Sequence, residues 1–233
     1  MTVVNYCPKC GSKLAPRADG GRERPACAAA GCGFVYYGEF SVGCGAVVLR
    51  DRSALLVRRK PMNGRGGFWQ IPGGYVEIDE EFETALQREV LEETGVDAHF
   101  RDVVGFRHAQ SLVDRPKADL YVVCRLSPLG GEPRGDGVET SEAAYFSLED
   151  LEKMGRVPPL PATATGPTPM DRVTGISLWA VRAAFNAPEG FRRIDGEAPG
   201  LLRPGQTLFG HRDTLAPPSP RRGRSSLNFD RDP

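Results

Sequence analysis

One stretch of 23 residues, Gly74–Val96, constrains this chain more than any other part of its sequence. It is rich in strong helix formers, and Gly95 is predicted to end the helix that they form. Glu89, Glu92 and Glu93 stand at i, i+3 and i+4, so three carboxylates share one helical face. Like charges this close destabilise a helix unless a cation lies among them. Oxygen ligands so arranged suit Mg²⁺ or Mn²⁺, which keep several waters and add substrate phosphates to their shell.

A solvated helix face is the alternative interpretation of these charges, because runs such as Glu80-Glu81 are common on exposed helices. The spacing of the whole stretch argues against it. The pattern Gly-x5-Glu-x7-Arg-Glu-apolar-x-Glu-Glu-x-Gly-apolar begins at Gly74 and resembles the Nudix box without a departure. This resemblance to the Nudix hydrolase family covers about residues 41–155.

The resemblance implies an α/β/α sandwich with a mixed sheet, in which this loop–helix–loop cradles a diphosphate bound to Mg²⁺ or Mn²⁺. The residues that it assigns to the site fall into three roles. They are the metal ligands Gly74 (through its carbonyl), Glu89, Glu92 and Glu93, the orienting Arg88, and Glu80, which braces the loop.

The implied reaction is attack of water on phosphorus in a P–O–P link. Bound divalent ions neutralise phosphate oxygens and lower the pKa of a ligated water, so the protein mainly supplies position. A general base must take the proton of that water. Glu89 is favoured for this role, and Glu139 and Glu142 on a later loop are the alternatives. Ordinary charge in a solvated loop explains the last two equally well.

The remaining pattern predicts the other elements of an α/β domain over residues 41–156. Two β-branched runs, 41–49 and 54–57, flank a turn and predict a hairpin. The helix of the acidic stretch is expected over 80–94, with Leu91 on its apolar side. The further predicted elements are strands at 68–71, 102–107, 120–126 and 143–146 and a short acidic helix at 148–154.

Four of the six cysteines lie in the first 32 residues, where little apolar periodicity is present. These four, which pair with gaps of two and four residues, are Cys7, Cys10, Cys27 and Cys32. Four thiolates make a closed tetrahedral Zn²⁺ site, so we expect residues 1–40 to be a zinc ribbon held by a structural metal. Free thiols or a disulfide are the alternatives. Cys44 and Cys124 stand in apolar strands and are expected to be small buried side chains.

The substrate is the least constrained feature. A zinc ribbon before such a domain resembles the NADH-pyrophosphatase-like branch of the family, but the proline-rich array that marks that branch after the box is missing here. Residues 104–126 instead resemble the branch that takes ADP-ribose and NADH, which are therefore the expected substrates. The residues expected to bind them, by stacking on a base or pairing with phosphates, are Arg58, Arg65, Trp69, Arg107 and Tyr121. Core packing and solvent exposure are the alternative roles for these aromatics and arginines.

Two other functions stay open at the level of sequence. A nucleoside triphosphate pyrophosphohydrolase needs the same metal site. A non-catalytic module would bind a nucleotide, or would bind RNA through the ribbon. All the box glutamates are present, and the ribbon lacks aromatic residues between its basic ones, which disfavours the non-catalytic module.

The segment 157–233 holds 12 of the 20 prolines and is expected to be largely disordered. A short helix near 173–185 is the exception, because its apolar residues are close enough to dock on the core. Recruitment of partners by this proline-rich tail is an alternative.

Charge and composition indicate where such a chain works. Thirty Lys and Arg balance thirty Asp and Glu, so no global positive field attracts nucleic acid or a membrane. The N-terminus lacks the basic start and apolar stretch of a signal peptide, so we expect a cytoplasmic protein. A small-molecule nucleotide is its expected partner, with a homodimer as a further expectation.

Overall fold

The computed structural model describes residues 4–61, 67–111, 117–155 and 172–186, and the backbone of residues 192–193 and 206–210. At the N-terminal end, β1 (Leu14–Asp19) and β2 (Arg22–Cys27) form a small antiparallel hairpin with a sheet of its own. The rest of the described chain is arranged around one larger sheet.

The larger sheet is mixed, as predicted. Its strands are β3 (Glu39–Arg50), β4 (Ser53–Arg59), β5 (Trp69–Gln70), β6 (Asp97–Ser111), β7 (Lys117–Gly130), β8 (Thr140–Ser147), β9 (Arg192–Arg193) and β10 (Gln206–Gly210). Their order is β5-β4-β3-β7-β6-β10-β9, and β8 also pairs with β4. Strands β3 and β7 run parallel, whereas the other pairings within this sheet are antiparallel.

Helices cover both faces of this sheet. They are α1 (Phe82–Thr94), α2 (Leu148–Gly155) and α3 (Gly175–Asn186). Successive strand residues point to opposite faces, so Val48 packs in the cluster that contains Leu86 of α1, whereas Val47 packs in the cluster that contains Trp179 of α3. The chain therefore has the α/β/α sandwich that the sequence predicted.

The acidic helix differs from its prediction in two details. It begins at Phe82 rather than at residue 80, because the backbone of Glu81 is extended. Leu91 was expected on the apolar side, and this was wrong: its exposed fraction is 51%, whereas Glu93 is only 6% exposed. The buried face runs through Val90 and Glu93, and Leu91 lies about 100° around the helix from Val90. Gly95 ends the helix in the left-handed conformation, as predicted.

The predicted hairpin and later strands are present, and several are longer than expected. Strands β3 and β4 join through a two-residue turn at Asp51-Arg52. Strands β6 and β7 extend well beyond 102–107 and 120–126, because they pair with each other along almost their whole length.

The helix predicted in the tail is part of the core. In α3, Trp179 is 1% exposed and Ala180 and Val181 are fully buried, so the folded unit continues past residue 156. Strand β10 adds to the edge of the sheet beside β6. Most of the tail that was predicted to be disordered lies outside the described residues. None of the helices in the described part of the chain is both long and apolar enough to cross a membrane.

Candidate active site

Arg88 is the centre of a hydrogen-bond network on the acidic face of α1. Its Nε and Nη2 atoms donate to the two carboxylate oxygens of Glu80, at 3.0 and 2.7 Å. Its Nη1 donates to Glu89 and to Glu92, each at 3.0 Å. Arg88, followed by the backbone N–H of Glu77, lowers the pKa of Glu80 to about 2. Glu80 is therefore ionised and joins the loop before α1 to the helix, as the resemblance implies.

Glu93 is a buried carboxylate that forms no ion pair with any residue that the structure describes. Its Oε2 accepts a hydrogen bond of 2.8 Å from the backbone N–H of Gly73. Burial raises the pKa of Glu93 to about 7, against this hydrogen bond and with the help of the negative charge of Glu89. Burial also raises the pKa of Glu89. Both carboxylates thus pay a desolvation cost that a nearby cation would offset.

The loop Gly73-Gly74 lies against both β3 and α1. The φ of Gly73 is +148°, and a Cβ there would lie 2.1 Å from the carbonyl oxygen of Cys44, so this position requires glycine. A Cβ on Gly74 would lie 2.5 Å from Oε1 of Glu89 and would displace that carboxylate from the loop.

The metal ligands that the resemblance implies are close together but not equivalent. Glu89 and Glu93 lie at the glycine loop. The Gly74 carbonyl accepts one hydrogen bond from the Cys44 N–H, so the second lone pair of its oxygen is available to a metal. The Glu92 side chain is 59% exposed and bonded to Arg88. Within the described residues, the three glutamates do not bring three oxygen atoms within 4.8 Å of one another. These carboxylates would therefore hold a divalent ion only if waters or substrate oxygens completed its shell.

The two later glutamates are held by arginines of β4. Glu142 pairs with Arg58 at 2.8 Å, and Glu139 pairs with Arg59 at 3.1 Å. The side chains of Glu142 and Glu139 are 53% and 55% exposed. Their loop is joined to the end of α1, since the Thr140 hydroxyl donates to the carbonyl of Glu93. Both carboxylates lie near the site, but each already has a cationic partner.

A cavity of about 360 Å³ opens beside the glycine loop. Gly73 and Gly74 form one wall, and residues at the start of α3 form another. Its polar side chains include Arg59, Gln70, Arg107, Asp119, Tyr121, Thr174 and Ser177. Arg107 pairs with Asp119 at 2.5 Å and lies over the Tyr121 ring, 5.3 Å from its centroid. Charged, aromatic and hydroxyl groups thus meet within reach of the carboxylates.

Comparison with known proteins identifies the family of this chain. The model of the NUDIX domain matches residues 39–165, which is more than half of the chain. The chain belongs to the Nudix family.

Several curated relatives share the Nudix segment. The chain is 35% identical to Nudix hydrolase 8 of Arabidopsis thaliana over 112 residues, which are 47% of this chain and 30% of that protein. It is 37% identical to the nucleoside diphosphate-linked moiety X motif 6 protein of Xenopus laevis, over 49% of this chain and 54% of that one. It is 34% identical to an ADP-ribose pyrophosphatase of Methanocaldococcus jannaschii, over 49% and 66% of the two chains.

This chain thus spans from less than a third to about two thirds of these relatives' lengths. Among solved structures, a Nudix hydrolase from Nitrosomonas europaea superposes with a TM-score of 0.49 at 25% identity. That superposition covers 61% of this chain and 77% of the other.

Only some of the residues predicted to bind substrate line the cavity. Arg107 and Tyr121 line the cavity. Trp69 does not, because it is 6% exposed and packs edge-on against Phe146 in the core. Arg58 is 9% exposed and is bonded to Glu142 and to the Gly67 carbonyl, so Arg59 is the arginine of β4 at the cavity. Arg65 lies outside the described residues.

Several residues of the cavity were missed at the level of sequence, among them Tyr75, Thr174 and Ser177. Tyr75 follows the glycine loop and is 57% exposed, with Lys117 over its ring. Thr174 and Ser177 belong to the tail, and no local pattern connects them with the box.

The four N-terminal cysteines lie close together. Their Sγ atoms all lie within 4.8 Å of one another, with 3.7 Å between Cys7 and Cys32 and 3.5 Å between Cys10 and Cys27. A tetrahedral zinc with ~2.3 Å bonds separates its sulfur ligands by about 3.8 Å, so the cluster fits this ion. Hydrogen bonds, first from Ser12 and then from the other cysteines, lower the pKa of Cys10 to about 6, which favours the thiolate.

The remaining two cysteines are packing residues, as predicted. Cys44 and Cys124 are fully buried in the sheet, and burial raises their pKa values to about 11 and about 12.

Proposed function

We propose that this chain is a pyrophosphohydrolase that uses Mg²⁺ or Mn²⁺ to hydrolyse the P–O–P bond of a nucleoside diphosphate linked to a second group. The observation that carries the proposal is the buried carboxylate of Glu93, which accepts a hydrogen bond from the Gly73 N–H and forms no ion pair with any described residue, although the charge of Arg59 acts on it from a greater distance. A divalent cation would compensate this charge. Nudix enzymes generally use Mg²⁺ or Mn²⁺.

The residues of the box divide the work of catalysis. Glu93 and Glu89 would hold the ion with the Gly74 carbonyl, and Glu92 would contribute from the exposed edge. When bound, the ion neutralises phosphate oxygens and acidifies a water molecule. Arg88 fixes the direction of the Glu89 carboxylate through its hydrogen bond.

Glu89 is the general base of this proposal. Its carboxylate takes a proton from the attacking water, whose oxygen bonds to one phosphorus while the bridging oxygen leaves with the other. Glu89 is preferred because it lies at the glycine loop, where a Cβ on Gly74 would meet its carboxylate. Glu142 is the alternative, and each of the two carboxylates is paired with an arginine, Glu89 with Arg88 and Glu142 with Arg58.

The second part of the proposal is the substrate, ADP-ribose or NADH. The cavity places Arg107 and Tyr121 beside the glycine loop, where they can hold the part of a substrate that extends away from the diphosphate. The relative from Methanocaldococcus jannaschii that is 34% identical is an ADP-ribose pyrophosphatase, which supports the same class.

A hydrolysis screen of the purified full chain tests the proposal. It compares ADP-ribose, NADH, FAD, ADP-sugars, diadenosine polyphosphates and nucleoside triphosphates with Mg²⁺ or Mn²⁺ and identifies the products. AMP with a second phosphorylated product from ADP-ribose or NADH is the expected result. Absence of metal-dependent hydrolysis of every compound would contradict the enzyme itself.

We further propose that the four cysteines hold one structural Zn²⁺ and that residues 1–40 form a zinc ribbon. Four thiol ligands at tetrahedral spacing leave no open position for a substrate, so the ion stabilises this part of the fold. The cytoplasmic location and the homodimer stay predictions.

A further inference from the structure

The start of α3 is bonded to the backbone of the segment that leads into the glycine loop. The Trp69 N–H donates to the carbonyl of Arg172 at 2.7 Å, and the Thr174 N–H donates back to the carbonyl of Trp69 at 3.0 Å. Two residues further on, the Ile71 N–H donates to Oγ of Ser177 at 3.0 Å. A side chain from the C-terminal part of the chain thus replaces a strand partner for Ile71.

Ser177 is held in place for this contact. It is 1% exposed, and its hydroxyl oxygen lies 2.6 Å from that of Thr174. Thr174 also accepts a bond from the Ser177 N–H, which fixes the first turn of α3. Ile71 is itself 2% exposed, so its N–H would lose its partner if the Ser177 hydroxyl were removed.

Ile71 is separated from Gly73 by Pro72 alone. The proline ring fixes its own φ, so fewer torsions are available to absorb a displacement of Ile71 before it reaches Gly73. The opposite side of the loop is held by β3, through the bonds from the Ala46 N–H to the Pro72 carbonyl and from the Cys44 N–H to the Gly74 carbonyl. Ser177 and β3 together fix the direction in which the Gly73 N–H meets Glu93.

We propose that Ser177 is a positioning residue, which acts through Ile71 and the Gly73 N–H to place the Glu93 carboxylate. Its effect on turnover rests on the proposed function, whereas its effect on the contact between Gly73 and Glu93 can be measured without a substrate. The same helix turn also forms a wall of the cavity, through Thr174, Ile176 and Ser177. The C-terminal helix, which follows the segment matched by the family model, thereby controls the geometry of the site.

Ser177→Ala in the full chain tests this role, with Val181→Ala as the matched control. Val181 is fully buried on the same helix but does not line the cavity, so its truncation destabilises α3 while the hydroxyl of Ser177 stays available to the Ile71 N–H. We expect Ser177→Ala to lower kcat by about ten- to a hundredfold, with KM changed much less. We also expect weaker Mn²⁺ binding by electron paramagnetic resonance and a shifted Gly73 amide resonance in protein without added divalent metal. Val181→Ala should alter none of these.

Two further variants keep the test decisive. Thr174→Val keeps the shape but removes the hydroxyl beside Ser177, and it should change Mn²⁺ binding in the same direction to a smaller extent. Ser177→Cys keeps a weak acceptor and should fall between wild type and Ser177→Ala. If Ser177→Ala does not fold, Thr174→Val decides.

Equal effects of Ser177→Ala and Val181→Ala on Mn²⁺ binding and on the Gly73 resonance would overturn the positioning role. If the wild-type protein hydrolyses nothing, the proposed function fails, and these two measurements still decide the role of Ser177.

Discussion

The backbone N–H of Gly73 donates a 2.8 Å hydrogen bond to the buried carboxylate of Glu93, which forms no ion pair with any described residue. This bond and the more distant charge of Arg59 do not remove the cost of burying the carboxylate, since the pKa of Glu93 is still raised to about 7. A cation bound beside Glu93 would offset that cost. The pair therefore connects the stability of the protein to its proposed catalysis.

Glu93→Gln should abolish turnover while leaving α1 folded. The amide keeps the size of the side chain and can still accept the bond from Gly73, but it no longer attracts a divalent ion. We expect kcat for the best substrate to fall by roughly a hundredfold or more. Steady-state kinetics and circular dichroism measure the two properties. A folded variant with near wild-type turnover would remove Glu93 from the metal site.

The same substitution should stabilise the protein when no magnesium or manganese is added. The pKa of Glu93 rises from its ordinary value of 4.5 to about 7 on folding, so the folded state binds this proton more tightly than the unfolded state. Its contribution to stability is complete below pH 4.5 and is lost as the pH rises through 7. At pH 8 the free energy of unfolding of Glu93→Gln should therefore be about 1–3 kcal/mol larger than that of the wild type.

Urea denaturation at pH 5 and pH 8 measures this difference, which should grow with pH. Chelators are left out, because they would also remove zinc from the cysteine cluster. A difference that is constant over this range would mean that Glu93 is ionised throughout.

Arg88→Lys should impair catalysis although it keeps the charge. The guanidinium bonds to three carboxylates at once, and the single ammonium of lysine cannot reproduce this geometry. We expect a loss in kcat of about ten- to a hundredfold. Arg24→Lys is the control, because Arg24 also pairs with a carboxylate, that of Asp19, in the N-terminal hairpin away from the box. Similar activities of the two variants would show that catalysis does not need the hydrogen bonds that the Arg88 guanidinium makes to the three carboxylates.

The box was predictable from the sequence because its contacts are local. Arg88 reaches Glu80, Glu89 and Glu92 within one loop and one helix, so their spacing nearly determines their geometry. The walls of the cavity depend on distant pairings. Ser177 meets Ile71 across 106 residues of sequence, and no local pattern records such a contact.

The choice between neighbouring strand residues was also beyond local pattern. Arg58 and Arg59 are adjacent in β4, and a one-residue change of register exchanges the faces to which they point. The structure turns Arg59 to the cavity and Arg58 to Glu142. As an aromatic residue, Trp69 was a candidate for stacking on a base. In the structure it packs against Phe146 in the core.

Zinc content should depend on the cysteine cluster alone. Cys10→Ser should lower the zinc bound by the purified protein well below one ion per chain and loosen the hairpin of β1 and β2, because a closed site needs all four thiolates. Elemental analysis and hydrogen exchange measure these effects. Cys124→Ala removes a buried thiol outside the cluster and should leave zinc content unchanged. Wild-type protein without zinc but with a protected hairpin would contradict the zinc ribbon.

ADP-ribose should be preferred over ATP and dGTP, by tenfold or more in kcat/KM. A diphosphate flanked by two bulky groups needs space beyond the metal site, and the cavity of about 360 Å³ at the glycine loop provides it. Arg107 there is paired with Asp119, so the cavity has little unbalanced positive charge for a further phosphate. The Asp119 carboxylate can accept hydrogen bonds from sugar hydroxyls but repels phosphate oxygens.

Arg107→Ala should consequently reduce kcat/KM for ADP-ribose, while Arg24→Lys in the N-terminal hairpin leaves it unchanged. The products identify the bond that is cleaved, since hydrolysis at the pyrophosphate of ADP-ribose releases AMP and a ribose phosphate. A strong preference for triphosphates, with release of pyrophosphate or phosphate, would contradict the proposal of ADP-ribose or NADH. The substrate would then be a nucleoside triphosphate. The activity of Arg107→Ala then distinguishes the two substrates. Hydrolysis of a triphosphate held only at the box would not depend on this cavity residue.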